Sequence, residues 1–262
     1  MHCQPKSNEG MNEKAHWDNI ATRYNEEIFD VFKSDRTKRL AHYFRKHSNR
    51  EKNDAIDFGC GTGKAFQYLS PAFKSVHAID ISSQCLATAR ERSFPNITFR
   101  RQDLSRRNLR LPMVDFVFCC NVIMLPEIAK NQVMLSNIYH CLRKNGTALI
   151  VIPSLESIMF SSWRLIDWYG REGVSPEEIP ASELAYFKGN KRDILQGIIY
   201  IDGVATKHYL HSEIQVLCER SNLEVTAIEK LEYDWDSEFS APPAWMKSPY
   251  PWDWVLECKR VK

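Results

Sequence analysis

The chain has 262 residues, enough to bury a sizeable core in one large domain or in a domain with an elaborated lid. Its 35 lysines and arginines stand against 33 acids, and the resulting net charge of +2 gives no general attraction to nucleic acid or to an anionic membrane. Even the longest uninterrupted apolar runs, such as Ala148 to Ile152, are far shorter than the roughly 20 residues that a membrane-spanning helix needs.

The eight cysteines predict reduced core residues rather than disulfides or zinc ligands. No pair has C-x-x-C spacing, and several lie in apolar strand or helix contexts. The chain also lacks a positively charged start followed by an apolar segment, the pattern of a signal peptide. We therefore expect a cytoplasmic protein with no metal site and no membrane association.

Strand and helix patterns alternate along the chain, which predicts an α/β fold with a parallel sheet and helices on both faces. Residues 1–14 are expected to be a disordered tail, and apolar spacing predicts helices between Lys14 and His47. The elements predicted after the strand that ends at Phe58 are a helix over 63–70, a strand over 75–80, a helix over 82–92, strands over 97–102 and 114–120, a helix over 127–143 ended by Asn145-Gly146, a strand over Thr147 to Pro153, a helix over 211–221 capped by Ser212, and strands over Glu224 to Tyr233 and Trp254 to Arg260.

A glycine-rich turn follows the first predicted strand in the run from Asp54 to Lys64. Its G-x-G-x-G spacing departs from the G-x-G-x-x-G of dinucleotide sites, because Lys64 stands where the third glycine is required. It also departs from a phosphate-binding P-loop, since Lys64 is followed by Ala65. Asp57, two residues before the first glycine, suits a cation such as an amino group better than a pyrophosphate. The turn indicates a nucleotide-like ligand that carries an amino group.

This D-x-G-x-G-x-G run resembles motif I of class I S-adenosylmethionine-dependent methyltransferases, and the resemblance covers about residues 15 to 153. It implies a Rossmann-like seven-stranded sheet, mostly parallel with a C-terminal antiparallel hairpin, and an enzyme that uses S-adenosyl-L-methionine and releases S-adenosyl-L-homocysteine. In that family an acid about 20 residues after the first glycine binds the ribose, a position matched by Asp80. The acid for the adenine amino group is matched by Asp103, and the strand end beside the transferring methyl is matched by Asn121. The cofactor-binding residues implied are Tyr24, Asp57, Gly59, Cys60, Gly61, Gly63, Asp80, Ile81, Asp103, Leu104 and Asn121.

Each of these signals has a structural alternative. The glycine turn also suits a tight connection without a ligand, and Asp80 at a strand end also suits a helix cap. Asp103 is surrounded in sequence by arginines that would hold it as a solvated turn acid. The conjunction of three strand-end signals in the right order favours the cofactor site.

Residues 15–262 are predicted to form one methyltransferase domain, in which residues 154–207 are a substrate-lid insertion between the fifth strand and the next helix. The insertion is aromatic and slightly acidic, which suits a small, partly apolar acceptor and disfavours a phosphate backbone. The substrate candidates are Trp163, Tyr169 and Tyr186, although aromatic residues at helical spacing also suit a buried helix face.

The expected reaction is direct displacement of a methyl group onto a nitrogen, oxygen or carbon nucleophile of a small molecule. His208 and Tyr209, just after the insertion, are candidate catalytic residues for an acceptor that must lose a proton. An RNA or protein methyltransferase is the first alternative, because a basic stretch over 33–52 and the loop over 100–110 offer cations. Against nucleic acid stands the absence of the family's [ND]-P-P-[YF] signature at Asn121. A noncatalytic module that binds an adenosyl ligand is the second alternative, and oligomeric state is left open.

Overall fold

The computed structural model describes residues 30–180, 192–201 and 204–261. The helices in this part of the chain are α1 (Val31–Ser34), α2 (Arg39–His47), α3 (Phe66–Ala72), α4 (Ser83–Arg90), α5 (Ile128–Cys141), α6 (Leu155–Arg171) and α7 (His211–Arg220). The strands are β1 (Asn49–Phe58), β2 (Phe73–Asp80), β3 (Ile97–Arg101), β4 (Val114–Cys120), β5 (Leu142–Pro153), β6 (Arg192–Asp193), β7 (Ile198–Ile201), β8 (Val204–Lys207), β9 (Leu223–Glu232) and β10 (Trp252–Arg260). A short 3₁₀ turn spans Trp235–Ser237.

Seven strands form one sheet in the order β3-β2-β1-β4-β5-β10-β9. Neighbours from β3 to β5 pair in parallel, whereas β10 is antiparallel to both β5 and β9. The predicted Rossmann-like sheet with a C-terminal antiparallel hairpin is confirmed. Because β10 runs in the opposite direction, it begins at the edge of the sheet where β1, β2, β4 and β5 end.

Helices cover both faces of this sheet, because alternate strand residues supply an apolar surface on each side. On one face, Leu135 of α5 and Ile214 of α7 pack in a core cluster with Ile150 of β5. On the other face, Phe44 of α2 and Leu86 of α4 pack in a second cluster that includes residues from the same strands. The central strands are buried from both sides, which explains their nearly continuous apolar sequence.

Two residues predicted to end or cap a helix do not do so. The helix expected to end at Asn145-Gly146 ends at Cys141, and both residues lie inside β5. The register of β4 and β5 shifts there, and Asn145 has a φ of 64°, so the turn residues form a bulge in the strand rather than a helix cap. The expected cap Ser212 lies inside α7, whose N-cap residue is Leu210. The Leu210 N–H is instead accepted by the Glu213 side chain at 3.3 Å.

The segment expected as a lid begins with a regular helix. α6 follows β5 directly, and its first turn is capped by Ser154, whose Oγ accepts the Ser157 N–H at 3.0 Å. Strands β6, β7 and β8 then form a separate three-stranded antiparallel sheet. The lid role of residues 154–207 stays a prediction, and the expected tail over 1–14 lies outside the described residues. Among the helices of the described residues, none is both long and apolar enough to cross a membrane.

Candidate functional site

The glycine turn has the backbone that only glycine adopts easily. Gly59, Gly61 and Gly63 have φ values of 79°, 50° and 77°. The N–H of Gly59 donates to the carbonyl of Ile79 at 2.8 Å, which holds the turn against the end of β2. A Cβ added to Gly59 would collide with Val122, so the turn abuts the loop that follows β4. The ends of three strands therefore meet around the turn.

Asp57 is the most unusual group beside this turn. The residue is 3% exposed, and its Oδ2 has no hydrogen-bond partner among the described residues. Burial, aided by the nearby charge of Asp80, raises the pKa of Asp57 to about 8. A buried carboxyl without a partner is unfavourable unless a ligand supplies a donor, and an amino group would satisfy it.

Asp80 links the glycine turn to the start of α4. Its Oδ2 accepts the Gly61 N–H at 2.8 Å, and its Oδ1 accepts the Ser82 N–H at 2.8 Å. The helix cap itself is Ser82, whose Oγ accepts the Cys85 N–H at 3.1 Å. The residue that caps the helix is therefore Ser82 and not Asp80. A carboxylate oxygen can accept more than one hydrogen bond, so a ribose contact with Asp80 stays a prediction.

Asp103 lies in the loop after β3. Its Oδ1 accepts both the N–H and the hydroxyl of Ser105, at 3.0 and 2.7 Å, and Arg106 binds its Oδ2 at 3.1 Å. Burial opposes ionisation of this carboxyl, but these hydrogen bonds outweigh it and lower the pKa of Asp103. Leu104 beside it is buried, and the Asn137 amide donates to its carbonyl at 2.9 Å. This loop is therefore anchored to α5.

Asn121 follows the last residue of β4 and has a φ of 53°, which asparagine tolerates better than most residues. Its N–H donates to Val151 at 2.9 Å, and its Oδ1 is buried without a hydrogen-bond partner among the described residues. Asp57 and Asn121 thus each present an unpartnered oxygen at the carboxyl edge of the sheet.

The remaining cofactor candidates are Cys60, Ile81 and Tyr24. Cys60 is buried in the turn, and burial together with the charge of Asp57 raises the pKa of its thiol. Ile81 follows β2 directly, and its carbonyl accepts from Arg101 at 3.3 Å. Tyr24 lies outside the described residues. The ligand contacts of all these residues stay predictions.

The substrate candidates lie on or after α6. Trp163 is 54% exposed and stacks on Phe160 with ring centroids 6.0 Å apart. Tyr169 is half-buried and packs against the cluster that contains Trp235. Tyr186 lies outside the described residues. Their roles in substrate binding stay predictions.

His208 and Tyr209 are buried. The His208 Nδ1 lies 3.1 Å from the Thr206 carbonyl, and burial lowers the His208 pKa to about 4. The backbone of Tyr209 bonds to both Pro153 and Leu155, which joins the end of the insertion to the end of β5. The geometry gives both residues a structural place, and a catalytic role for either stays a prediction.

Sequence reasoning missed Asp253, which lies at the same edge near the start of β10. Its Oδ2 accepts the Tyr233 hydroxyl at 2.7 Å. Burial, and then the negative charge of Glu238, raise its pKa to about 7, although the hydrogen bonds from Tyr233 and the Asn121 side chain act in the opposite direction. In the sequence, Asp253 is an acid at the start of a strand. Asp253 lies in the candidate site only because that strand is antiparallel.

Three cations of the basic stretch over 33–52 pair with acids of the C-terminal strands and of the loop that follows β9. The pairs are Arg36 with Asp234, Arg39 with Glu229 at 2.7 Å, and Lys46 with Glu257 at 2.7 Å. Arg50 donates to the carbonyls of Ser70 and Phe73. These cations serve the fold, which leaves less charge for an RNA backbone. Among the described residues, no group of three or more His, Cys, Asp or Glu is placed to hold a metal.

Residues 55–146 match the family described as a methyltransferase domain. A curated relative, putative methyltransferase 235L of Invertebrate iridescent virus 6, is 32% identical over 104 residues, which cover 38% of this chain and 37% of the relative. The chain thus matches only a little over a third of that relative's length.

Solved structures share the fold at low sequence identity. A S-adenosylmethionine-dependent methyltransferase from Anabaena variabilis has a TM-score of 0.61 at 14% identity, covering 95% of this chain and 96% of the other. The N-methyltransferase NodS from Bradyrhizobium japonicum, solved with S-adenosyl-L-homocysteine, has a TM-score of 0.57 at 11% identity and covers 94% and 99%. These likenesses establish the architecture alone. Residues 55–146, which contain the glycine turn, therefore match a methyltransferase domain, and the chain shares its fold with S-adenosylmethionine-dependent methyltransferases.

Proposed function

We propose that this protein transfers a methyl group from S-adenosyl-L-methionine to a small-molecule acceptor in the cytoplasm, by direct displacement. The observation that carries the proposal is the buried Asp57 carboxyl, whose Oδ2 lacks a partner beside a turn of three left-handed glycines. A ligand with an amino group, a ribose and an adenine matches the groups arranged along this edge.

The residues present fit that cofactor. Asp57 offers an unpartnered oxygen for an amino group, and the Asp80 carboxylate would accept hydrogen bonds from the two ribose hydroxyls. Asp103 and the apolar Leu104 would hold the adenine. When bound, the cofactor supplies an electrophilic methyl group on a sulfonium. The protein then has to align an acceptor lone pair with that methyl and keep water away.

A small acceptor is favoured by the apolar cluster between α6 and the residues after β9. Trp235 and Phe239 stack with ring centroids 5.6 Å apart, and Phe160 and Leu165 of α6 pack against them. Small-molecule sites are typically lined by such groups with a few polar ones among them. The pairing of Arg36, Arg39 and Lys46 with acids leaves less charge for an RNA backbone. Neither nucleic acid nor a membrane is among the proposed partners.

The test is calorimetric titration of the full chain with S-adenosylmethionine, S-adenosylhomocysteine and NAD. We expect both adenosyl ligands to bind and NAD not to bind. Asp80→Asn should weaken both adenosyl ligands, whereas Glu91→Gln, a change to an exposed acid just after α4, should leave their affinities unchanged. Failure of the wild-type protein to bind either adenosyl ligand would contradict the proposal.

An acceptor screen follows on the same sample, with formation of S-adenosylhomocysteine as the readout. Turnover with a small molecule supports the proposed reaction. Turnover with RNA or protein alone, together with salt-sensitive binding of RNA, would favour the first alternative. Cofactor binding without turnover on any class of acceptor would favour the noncatalytic module.

A further inference from the structure

Asp253 lies on the same side of the sheet as Asp57. It pairs in register with Pro153 of β5 and Leu231 of β9, so it is at the edge where the parallel strands end. Val255 lies two residues along β10 from Asp253, and Leu231 is the residue paired with Asp253 on β9. Both pack in the same core cluster as Ala55 of β1. Because side chains alternate along a strand, Asp57 and Asp253 point to that same face.

The Asp253 carboxyl is held in place by three groups. Tyr233 donates to its Oδ2 at 2.7 Å, and the Asn121 side chain and the Ser154 N–H also bond to it. Asn121 thereby connects Asp253 with the end of β4, the strand that the resemblance places beside the transferring methyl. The Asn121 Oδ1 has no hydrogen-bond donor among the described residues, and a ligand bound beside Asn121 would supply one.

The electrostatic surroundings of Asp253 are negative. Glu238, beside the Ser161 hydroxyl of α6, raises the pKa of Asp253, and Asp253 and Asp57 both raise the pKa of the Cys120 thiol that lies on β4. The Asp57 Oδ2 is left to the amino group of the cofactor, but the buried Asn121 Oδ1 beside Asp253 also has no partner among the described residues, which points to a second missing donor. Carboxyl groups gathered in this way favour a cation over a neutral or anionic ligand.

We propose that Asp253 binds the methyl acceptor as a protonated amine and takes its proton, so that the atom methylated is nitrogen. This inference rests on the proposed function and names the substrate class of the same site. The ammonium proton passes to the Asp253 carboxylate, and the freed lone pair forms the new nitrogen–carbon bond to the methyl. The electron pair of the carbon–sulfur bond stays on sulfur, so the products are a methylated ammonium and a thioether.

The pKa of about 7 agrees with this role, because a carboxylate so tuned takes a proton more readily than one at the usual value of 3.8. The titratable groups that face it are Tyr233 at the end of β9, Glu238 after the 3₁₀ turn, and Cys120 on β4. Tyr233 and Cys120 both have raised pKa values from burial and stay neutral, which leaves the carboxyls as the groups that change charge.

The test uses the full chain saturated with S-adenosylhomocysteine and three matched probes, 2-phenylethylamine, 2-phenylethanol and 3-phenylpropanoate. Calorimetry should show the amine binding at least about tenfold more tightly than either other probe. At pH 6.5, amine binding should also release protons from Asp253, seen as a heat that differs between phosphate and Tris buffers, and this release should vanish at pH 8.5.

Asp253→Asn should reduce the amine preference to less than about threefold and abolish the proton release, with unchanged affinity for S-adenosylhomocysteine. Asp236→Asn, an exposed acid in the adjacent 3₁₀ turn, is the matched control and should keep both. If Asp253→Asn does not fold, Tyr233→Phe retains the carboxyl, and its proton release should move to a different pH. An amine that binds no better than the alcohol, including no binding of either, would overturn the inference, as would a preference that survives in folded Asp253→Asn. Loss of S-adenosylhomocysteine binding by the wild type would instead refute the proposed function.

Discussion

Replacing Asp57 with asparagine should stabilise the cofactor-free protein and weaken cofactor binding. The folded state raises the Asp57 pKa from its usual 3.8 to about 8, so folding favours the protonated form. Below pH 3.8 the carboxyl is protonated in both states and carries no penalty. As the pH rises, the unfolded state ionises first, and the folded state loses stability until the pH passes about 8.

The magnitude follows from the pKa shift. Each pH unit between the two pKa values corresponds to about 1.4 kcal/mol, so the penalty is about 3 kcal/mol at pH 6 and about 5 kcal/mol at pH 8. Asparagine has nearly the same shape and no charge, and so it removes this dependence. The advantage of Asp57→Asn over the wild type in unfolding free energy should therefore grow by about 2 kcal/mol between pH 6 and pH 8.

The assay is urea unfolding of both proteins without cofactor at several pH values. Asp54, three residues before Asp57 on the same strand, is the matched control. Burial opposes its ionisation, but hydrogen bonds from Ser75 and Arg143 prevail and lower its pKa. Asp54→Asn should destabilise the protein equally at pH 6 and pH 8. A difference between Asp57→Asn and wild type that does not change with pH would refute the reasoning about the buried charge.

Asp80→Ala removes the acceptor for ribose hydroxyls and should lower cofactor affinity by about 1.5 to 3 kcal/mol; unchanged affinity in calorimetry of a folded variant would exclude Asp80 from the site. Gly59→Ala combines a left-handed φ with a collision against Val122 and should destabilise the fold by at least about 1 to 2 kcal/mol in urea unfolding. Val122→Ala added to it should restore part of this loss, and no recovery would show that the collision is unimportant. Glu257 has a pKa held low, against its burial, by hydrogen bonds from Lys46 and a histidine, so its contribution is present above pH 4.5 and lost as the pH falls below that value. Glu257→Gln should then abolish much of the acid-induced loss of stability between pH 6 and pH 3, and an identical acid transition in both proteins would count against this role.

The parallel half of the fold was predictable because local sequence specifies it. β4 was predicted at its observed bounds, since a run of buried apolar residues between polar turns leaves little choice. The glycine turn could also be predicted from the sequence, because its left-handed backbone favours glycine over other residues. Asn145-Gly146 was misread for a physical reason: a left-handed asparagine ends a helix and forms a bulge equally well, and only the pairing of β5 with β4 decides between them.

The missed part of the site depends on strand direction and on contacts between distant residues. Asp253 reaches the site because β10 runs antiparallel, and its partner Tyr233 comes from the end of a different strand. No local pattern marks either residue. The aromatic residues of α6 also fit the buried face of a helix in the sequence. The start of that helix depends on the cap formed by Ser154.

The buried thiols around the glycine turn have a consequence for the chemical durability of the protein. A sulfonium methyl donor is an alkylating agent, and a thiolate would be among the strongest nucleophiles near it. Burial, together with the carboxyls of Asp57, Asp80 and Asp253, keeps Cys60 and Cys120 in the protonated, weakly nucleophilic form. The acids proposed to bind the ligands would therefore also keep these thiols in the form that a sulfonium donor alkylates least.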